Sequence, residues 1–315
     1  MKAIIIKEAG SVEQLKLVEI EKPVINDHEV LIKTKAISVN PVDVKARATS
    51  EMLTWVYGED RPAILGWDIS GEIIEIGRKV TDFKVGDEVF GMLNFIGQGK
   101  TYAEYVVASP EHITIKSKNV THESAAASSL AALTAYQALV ETAQVKKGDK
   151  VLVHAASGGV GHFAVQIAKY FGAYVIGTSS SKNKNFVLSL GADEHVDYKN
   201  EKLQDRVKDA DIVFDTINDG ALEDSIDVLA KKGKIVTITS TEFPAEVKEK
   251  AIEKEASIQF VRVASKKDSI IAISELLKIE AIKPHIHKTF AFEEMANAHL
   301  EIETGRVTGK VVVKL

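Results

Sequence analysis

The chain contains no cysteine, so it can build neither a disulfide framework nor a thiolate metal site, and a reducing, cytoplasmic setting is expected. It also lacks any apolar run near the ~20 residues that span a bilayer. The opening Met1-Lys-Ala-Ile-Ile-Ile6 is too short for a signal peptide and is expected to start a strand. Positive charge is in deficit: 40 Lys and Arg against 45 Asp and Glu leave a net charge of −5. With lysines spread along the chain, no basic field for nucleic acid is expected. Internal repeats and low-complexity segments are missing too. At 315 residues, 45% hydrophobic and 27% charged, the chain has the composition of a globular protein and the length for two domains with separate cores.

What is there declares itself at residues 151–161, Val-Leu-Val-His-Ala-Ala-Ser-Gly-Gly-Val-Gly. The apolar run 151–153 reads as a fully buried parallel strand, and Val160, Ala164, Ile167, Ala168 and Phe171 then recur at helical spacing. Between them, Ala156, Gly158 and Gly161 fit a G-x-G-x-x-G fingerprint whose first glycine is replaced by alanine. Small residues let the backbone approach a dinucleotide pyrophosphate, whose charge is met by the free N–H groups and positive end of the following helix. An ordinary tight turn is the other reading of such a motif; the strand before it and the β/α alternation after it favour the fingerprint.

Residues 1–119 are strand-like at 3–6, 15–20, 29–38, 69–76, 88–91 and 102–107, with Gly66, Gly71, Gly77, Gly86 and Gly91 as punctuation. That predicts a strongly bent β-domain or partial barrel. One helix is expected among these strands, with Asn40 as N-cap, Pro41 in the first position and Asp43 near the positive end of the dipole. Residues 120–142 turn alanine-rich and helical, with Thr121 as a candidate cap. From residue 150 six strands alternate with helices, and Gly172, Gly191 and Gly233 fall where helices should stop. This alternation predicts a doubly wound parallel sheet. A helix at 268–279, an extended piece at 284–292, a helix at 293–303 and a strand at 309–315 are too few to extend that sheet by a unit, so they are expected to return to the first domain.

Taken together, Asn40-Pro-Val-Asp43, Gly66-Trp-Asp-Ile-Ser-Gly71 with Ile76-Gly77, Lys84-Val-Gly-Asp-Glu-Val-Phe-Gly91, Leu133-Thr-Ala-Tyr-Gln-Ala138, the stretch 155–161, Gly191-Ala-Asp193 and Gly309-Lys-Val-Val-Val313 resemble the medium-chain dehydrogenase/reductase superfamily. Within it they are most similar to the zinc-free quinone oxidoreductases, a group that includes zeta-crystallin and the plant alkenal/enone reductases. The resemblance implies an α/β chain with a GroES-like, β-rich catalytic domain from residues 1–122 and 266–315. A Rossmann domain, a doubly wound parallel sheet binding NADP(H), is expected from residues 123–265. It also implies a homodimer acting on a small carbonyl or quinone. Zinc-dependent members carry a cysteine at the place of Asn40, Gly-His-Glu at Gly66-Trp67-Asp68 and a further cysteine near Leu130. None of those ligands is present, and a four-cysteine structural zinc lobe is excluded.

An NAD-preferring site places a carboxylate about 20 residues after the fingerprint, whereas this chain reads Gly177-Thr-Ser-Ser-Ser-Lys182. Hydroxyls and an ammonium suit the 2′-phosphate of NADP(H). Candidate cofactor residues are therefore Ala156, Ser157, Gly158, Gly159, Val160, Gly161, Ser179, Ser180 and Lys182, with Thr134 and Tyr198 added by the resemblance. The other reading of Ser179 to Ser181 is a solvated loop. Candidate catalytic residues are Asn40, Lys45, Tyr57, Trp67 and Asp68. Asn40 and Tyr57 are implied to donate to a carbonyl, Lys45 to supply charge, and Trp67 to form a pocket wall. A helix cap for Asn40, a solvated face for Lys45 and core packing for Tyr57 are the competing explanations. His285 and His287 share a strand face without a nearby carboxylate or cysteine, so no metal site is expected there. His154 is expected to serve local hydrogen bonding. The expected activity is NADPH-dependent reduction of quinones or α,β-unsaturated carbonyls. Zinc-free alcohol/aldehyde chemistry and an NADPH-binding sensor or structural role without turnover stay open as alternatives.

Overall fold

In the computed structural model, which describes residues 1–217 and 221–315, the chain divides into two units. The first comprises Met1–Leu133, Ala264–Glu280 and Pro284–Leu315, and the second Thr134–Val263 with Ala281–Lys283. Residues 123–133 thus belong with the first unit, and the segments after residue 283 return to it.

The strand Val30–Val39 is the axis of the first unit. Its burial pattern shows a run of core-facing residues broken at Lys33 and Lys35, and it pairs antiparallel with three strands, Asp68–Ile76, Tyr105–Ala108 and Lys310–Lys314. Register shifts at Leu31/Ile32 and Thr34/Ala36 bend it, as bulges do, so one long strand serves both sides of a curved sheet. Glu88–Met92, Ile113–Ile115 and Ile286–Ala291 complete the seven strands. Ile32, Ile69, Ile73, Val89, Val106 and Ile113 pack into one buried cluster, each burial worth roughly 1.5–3 kcal/mol. Two helices follow the axial strand where one was expected: Pro41–Ala48 and Ser50–Tyr57. Thr49 between them is extended, at φ −123° and ψ 133°, so the expected helix ends there and Ser50–Tyr57 is a second one.

The second unit holds six parallel strands in the spatial order Glu194–Asp197, Tyr174–Ser179, Lys150–Val153, Ala210–Asp215, Leu229–Thr237, Ser257–Phe260. The order reverses between Lys150–Val153 and its neighbours, the arrangement in which such sheets bind nucleotides beyond the carboxyl ends of the strands. Leu152, Ile176, Val213, Ile226 and Ile235 lie in its buried core. Gly172 and Gly191 end helices at φ +82° and +102°, as helix termination by glycine requires. Gly233 does not: it lies inside the strand Leu229–Thr237. Among the described residues no helix is long and apolar enough to cross a membrane.

Candidate cofactor and catalytic residues

In the second unit the turn after Lys150–Val153 is shaped by close approach. A Cβ on Gly161 would stand 2.2 Å from the Ala155 carbonyl oxygen, and one on Gly177 would stand 2.8 Å from the Ala156 methyl. Both distances are below any real contact, so glycine is required at each position. Ala156 N–H donates to Thr178 O at 2.8 Å and Gly158 N–H to Ala155 O at 2.8 Å, which pins the turn to the neighbouring strand. The helix Gly161–Tyr170 begins at Val160 with no side-chain cap. His162 N–H donates to Gly158 O at 3.1 Å and Phe163 N–H to Val160 O at 3.1 Å, while Gly158, Gly159 and Val160 are only half-buried. A positive helix end without a cap, ringed by small residues, fits a pyrophosphate.

The candidates for the adenosine end are placed unevenly. Lys182 is exposed on the short turn Ser181–Asn183, and Ser180 precedes it half-buried. Ser179 is buried, and its hydroxyl lies 2.8 Å from His195 Nε2 and donates to Ser180 O at 3.1 Å. As the last residue of its strand it turns its side chain toward His195 on the neighbouring strand. Ser157 accepts from Asn183 Nδ2 at 2.9 Å, a partner the sequence reading missed. Tyr198 is 62% exposed, with the Lys199 ammonium 5.9 Å from its ring centroid. Beside the loop lies a cavity of about 260 Å³ lined by Ser181, Lys184, His195, Asp197, Asn200, Glu201 and Arg206. Thr134 is buried. His154 is held between Thr178 Oγ1 at 3.3 Å and Ser225 Oγ at 2.9 Å.

In the first unit the sheet brings Asn40, Asp68 and Lys310 together. Asn40 Nδ2 donates to Asp68 Oδ2 at 2.9 Å and to Ser38 O at 3.4 Å, and its Oδ1 accepts from the Lys310 ammonium. Asp68 Oδ1 accepts from Leu130 N–H at 2.8 Å, while Lys310 Nζ is 3.8 Å from Asp68 Oδ2. Asn40 is the N-cap of the helix Pro41–Ala48, as expected, in a capping box with Asp43, whose carboxylate accepts from Asn40 N–H at 2.7 Å. Both amide hydrogens of Asn40 are engaged, with Asp68 Oδ2 and with Ser38 O.

All these groups are buried, with consequences for charge. Burial pushes Asp68 up to about 6, against the pull of Lys310 and the Asn40 amide. It pushes Asp43 up to about 8 and the Lys310 ammonium down from its ordinary value, partly countered by Asp68 and Asp43. Tyr57 ends the second helix, 1% exposed, with its ring 6.1 Å from that of Trp67. Burial and the nearby Asp43 push its phenol well above the usual range, and its hydroxyl has no partner. Trp67 is fully buried; its Nε1 donates to Gly97 O at 2.7 Å and its ring meets Phe95 edge-on at 5.2 Å. Lys45 is exposed on the first helix. Among the described residues no three His, Asp or Glu side chains gather as a metal cluster, but His287, expected to have no carboxylate nearby, faces Glu301 at 3.4 Å, which the fold brings from a later helix.

A nucleotide-type parallel sheet together with a bent β-unit built from both chain ends defines the class, a two-unit dehydrogenase. A profile of the alcohol dehydrogenase GroES-like domain matches residues 26–119, and one described as zinc-binding dehydrogenase matches residues 190–313. The 2-methylene-furan-3-one reductase of Solanum lycopersicum is 34% identical over 99% of this chain and 79% of its own length. The chloroplastic NADPH-dependent alkenal/one oxidoreductase of Arabidopsis thaliana is 33% identical over the same shares. The solved quinone oxidoreductase of Coxiella burnetii is 36% identical, covers 100% of this chain and 99% of its own, and superimposes with a TM-score of 0.91. The chain belongs to the medium-chain dehydrogenase/reductase family, among relatives named quinone and alkenal/one oxidoreductases.

Proposed function

We propose that this protein is an NADPH-dependent reductase of quinones or α,β-unsaturated carbonyl compounds, working without zinc, as a cytoplasmic homodimer with no nucleic-acid partner. The relatives' names support the substrate class and the cofactor. The observation that carries the zinc-free reading is the buried set Asn40, Asp68 and Lys310, whose polar atoms are engaged with one another and with backbone. An ammonium supplies the positive charge there.

The reduced nicotinamide, when bound, supplies the hydride. The chain's own part is to hold the cofactor and to manage the proton. Ala156, Ser157, Gly158, Gly159, Val160 and Gly161 present backbone to the pyrophosphate. Lys182 and Ser180, on the loop with Ser179, meet the 2′-phosphate, and Tyr198 and Thr134 border the cofactor. Tyr57, kept protonated by its surroundings, is the donor to the substrate oxygen; Trp67 forms a wall; Asn40 and Asp68 position the segment 38–43; Lys45 adds positive charge. NADPH oxidation followed with a panel of quinones, enones and aldehydes tests this reading. Turnover confined to alcohols and aldehydes, or none at all, overturns it.

A further inference from the structure

Tyr57 and Trp67 are 1% and 0% exposed, and the Tyr57 hydroxyl is enclosed without a partner, an exception that asks for an explanation. A substrate can touch neither residue while this part of the first unit stays closed. What lies on them is the segment 94–100, between the strands Glu88–Met92 and Tyr105–Ala108. The Phe95 ring meets Trp67 edge-on at 5.2 Å, Gly97 O accepts from Trp67 Nε1 at 2.7 Å, and Gln98 Nε2 donates to Tyr57 O at 3.1 Å. Gly99 passes so close that a Cβ there would stand 2.8 Å from Trp67 Cδ1. Three further bonds hold the segment: Asn94 N–H to His112 Nδ1 at 3.1 Å, Asn94 Nδ2 to Gln98 O at 3.3 Å and Phe95 N–H to Ser265 Oγ at 2.9 Å. Its residues are nonetheless exposed or half-buried, all but Gly99. Asn94 and Lys100, at its two ends, are held at φ +51° and +57°, a left-handed backbone that residues other than glycine rarely adopt and that persists only where the surroundings impose it. A cavity of about 780 Å³ borders the same segment, with Leu93, Asn94, Gln98, Gly99, Lys100 and Val107 in its wall. Tyr57, Trp67 and Phe95 do not line that cavity, so the segment stands between the rings and open volume. All of these residues belong to the first unit.

Resting on the roles given above to Tyr57 and Trp67, we propose that residues 94–100 are a lid over them, hinged at Asn94 and Lys100, which yields into the neighbouring cavity to admit a quinone or enone, and that Gln98 is the positioning residue that ties its closure to Tyr57. Opening exchanges the bonds of Trp67 Nε1 with Gly97 O, of Gln98 with Tyr57 O and of Phe95 N–H with Ser265 for bonds to water, each a modest net change. The volume beside the segment receives it, so the β-core of the unit stays as it is. Closure returns Gln98 Nε2 to the carbonyl at the end of the helix Ser50–Tyr57, which fixes the residue that carries the donor hydroxyl, and it shuts water out while the hydride passes. The unpartnered hydroxyl of Tyr57 is then a donor kept for the substrate oxygen, and Phe95, on the moving segment and against Trp67, is the ring the substrate must pass.

Two experiments test the lid. The chain has two tryptophans, and the other, Trp55, is 54% exposed, so in a Trp55→Phe background Trp67 is the sole indole. Acrylamide quenching of its fluorescence, in the cofactor-free protein well below the melting transition, reads how often the lid opens. Ser265→Ala and Gln98→Ala each remove one bond of the closed state, and each is expected to raise the quenching constant roughly three- to tenfold, the effect of one net hydrogen bond on an opening equilibrium. Quenching unchanged in both overturns the lid. In the second experiment Val107→Phe, a half-exposed position of the cavity wall, takes up the space the segment needs. We expect kcat/KM for a naphthoquinone to fall about tenfold or more, as blocking a gate does, with the KM for NADPH within about twofold of wild type. Wild-type kcat/KM in folded Val107→Phe overturns the movement into the cavity. Should that variant fail to fold, the quenching measurement, which leaves the cavity untouched, decides. If no quinone or enone is reduced, the reductase reading fails, while quenching of Trp67 still decides whether the segment opens.

Discussion

Asp43 shows how a single side chain can tie stability to pH. A free aspartate titrates near 3.9, whereas burial holds this one up at about 8. The folded state therefore keeps a proton that the unfolded chain has already released. Its stability contribution is complete below the unfolded value, drains away as pH rises toward 8 and is gone above it. Asn at this position cannot titrate, and its carbonyl can still accept from Asn40 N–H. Asp43→Asn should therefore gain on the wild type with rising pH. Thermal melts at pH 6 and 9 should differ by at least ~2 °C more at the higher pH, the equivalent of roughly 1 kcal/mol; an equal difference at both would mean that Asp43 holds no proton. Gly161 is constrained by contact instead of charge. Gly161→Ala drives a methyl to 2.2 Å from the Ala155 carbonyl oxygen, so the turn must open. Overpacking of this kind costs typically 1–3 kcal/mol. The expected result is a lower melting temperature together with loss of NADPH binding by titration, and unchanged binding would remove the turn from the pyrophosphate site.

At the scale of elements, the strand-turn-helix at 150–170 and the alternation after it were legible because each depends on local chemistry: an apolar run, small residues, then helical spacing. Glycines marked the helix ends at Gly172 and Gly191 for the same reason. The strand through Gly233 was not legible, since it is decided by pairing with two distant strands that overrides local propensity; the split at Thr49 was not legible either, since one extended residue between two helices leaves no mark in the sequence. Ser179 and Ser180 differ by one residue and therefore by one face of the strand, which decides between a buried bond to His195 and the loop. Cofactor preference follows from that difference. Lys182→Ala should weaken NADPH binding by one to two orders of magnitude, since a charge-assisted contact is worth roughly 1.5–3 kcal/mol; NADH binding should hardly change. The substitution that favours NADH is expected to be Ser180→Asp, because Ser179→Asp would bury a carboxylate beside His195 and lower stability. Dissociation constants for both cofactors check this, and equal weakening of the two in Lys182→Ala would move the phosphate site elsewhere.

Across the whole first unit, the polar centre is made by residues that only the completed sheet brings together. Asn40, Asp68 and Lys310 come from three strands or their ends, and 270 positions separate the first from the last. No local pattern marks Lys310, which is why the candidate site read from sequence contained Asn40 and Asp68 but not the ammonium that completes them. The pairing predicts a double-mutant result. Lys310→Met removes the cation and leaves Asp68 buried with only hydrogen bonds to hold its charge, and breaking such a pair costs about 3–5 kcal/mol. Lys310→Met with Asp68→Asn removes both charges while keeping the shape, so most of that loss should return. The double variant should also still bind NADPH, because the pyrophosphate turn belongs to the other unit. Denaturant melts of the wild type, both single variants and the double variant measure the coupling. If the double variant is no more stable than Lys310→Met, the ammonium and the carboxylate do not compensate one another, and the positive charge at the centre of this unit must be assigned to another group.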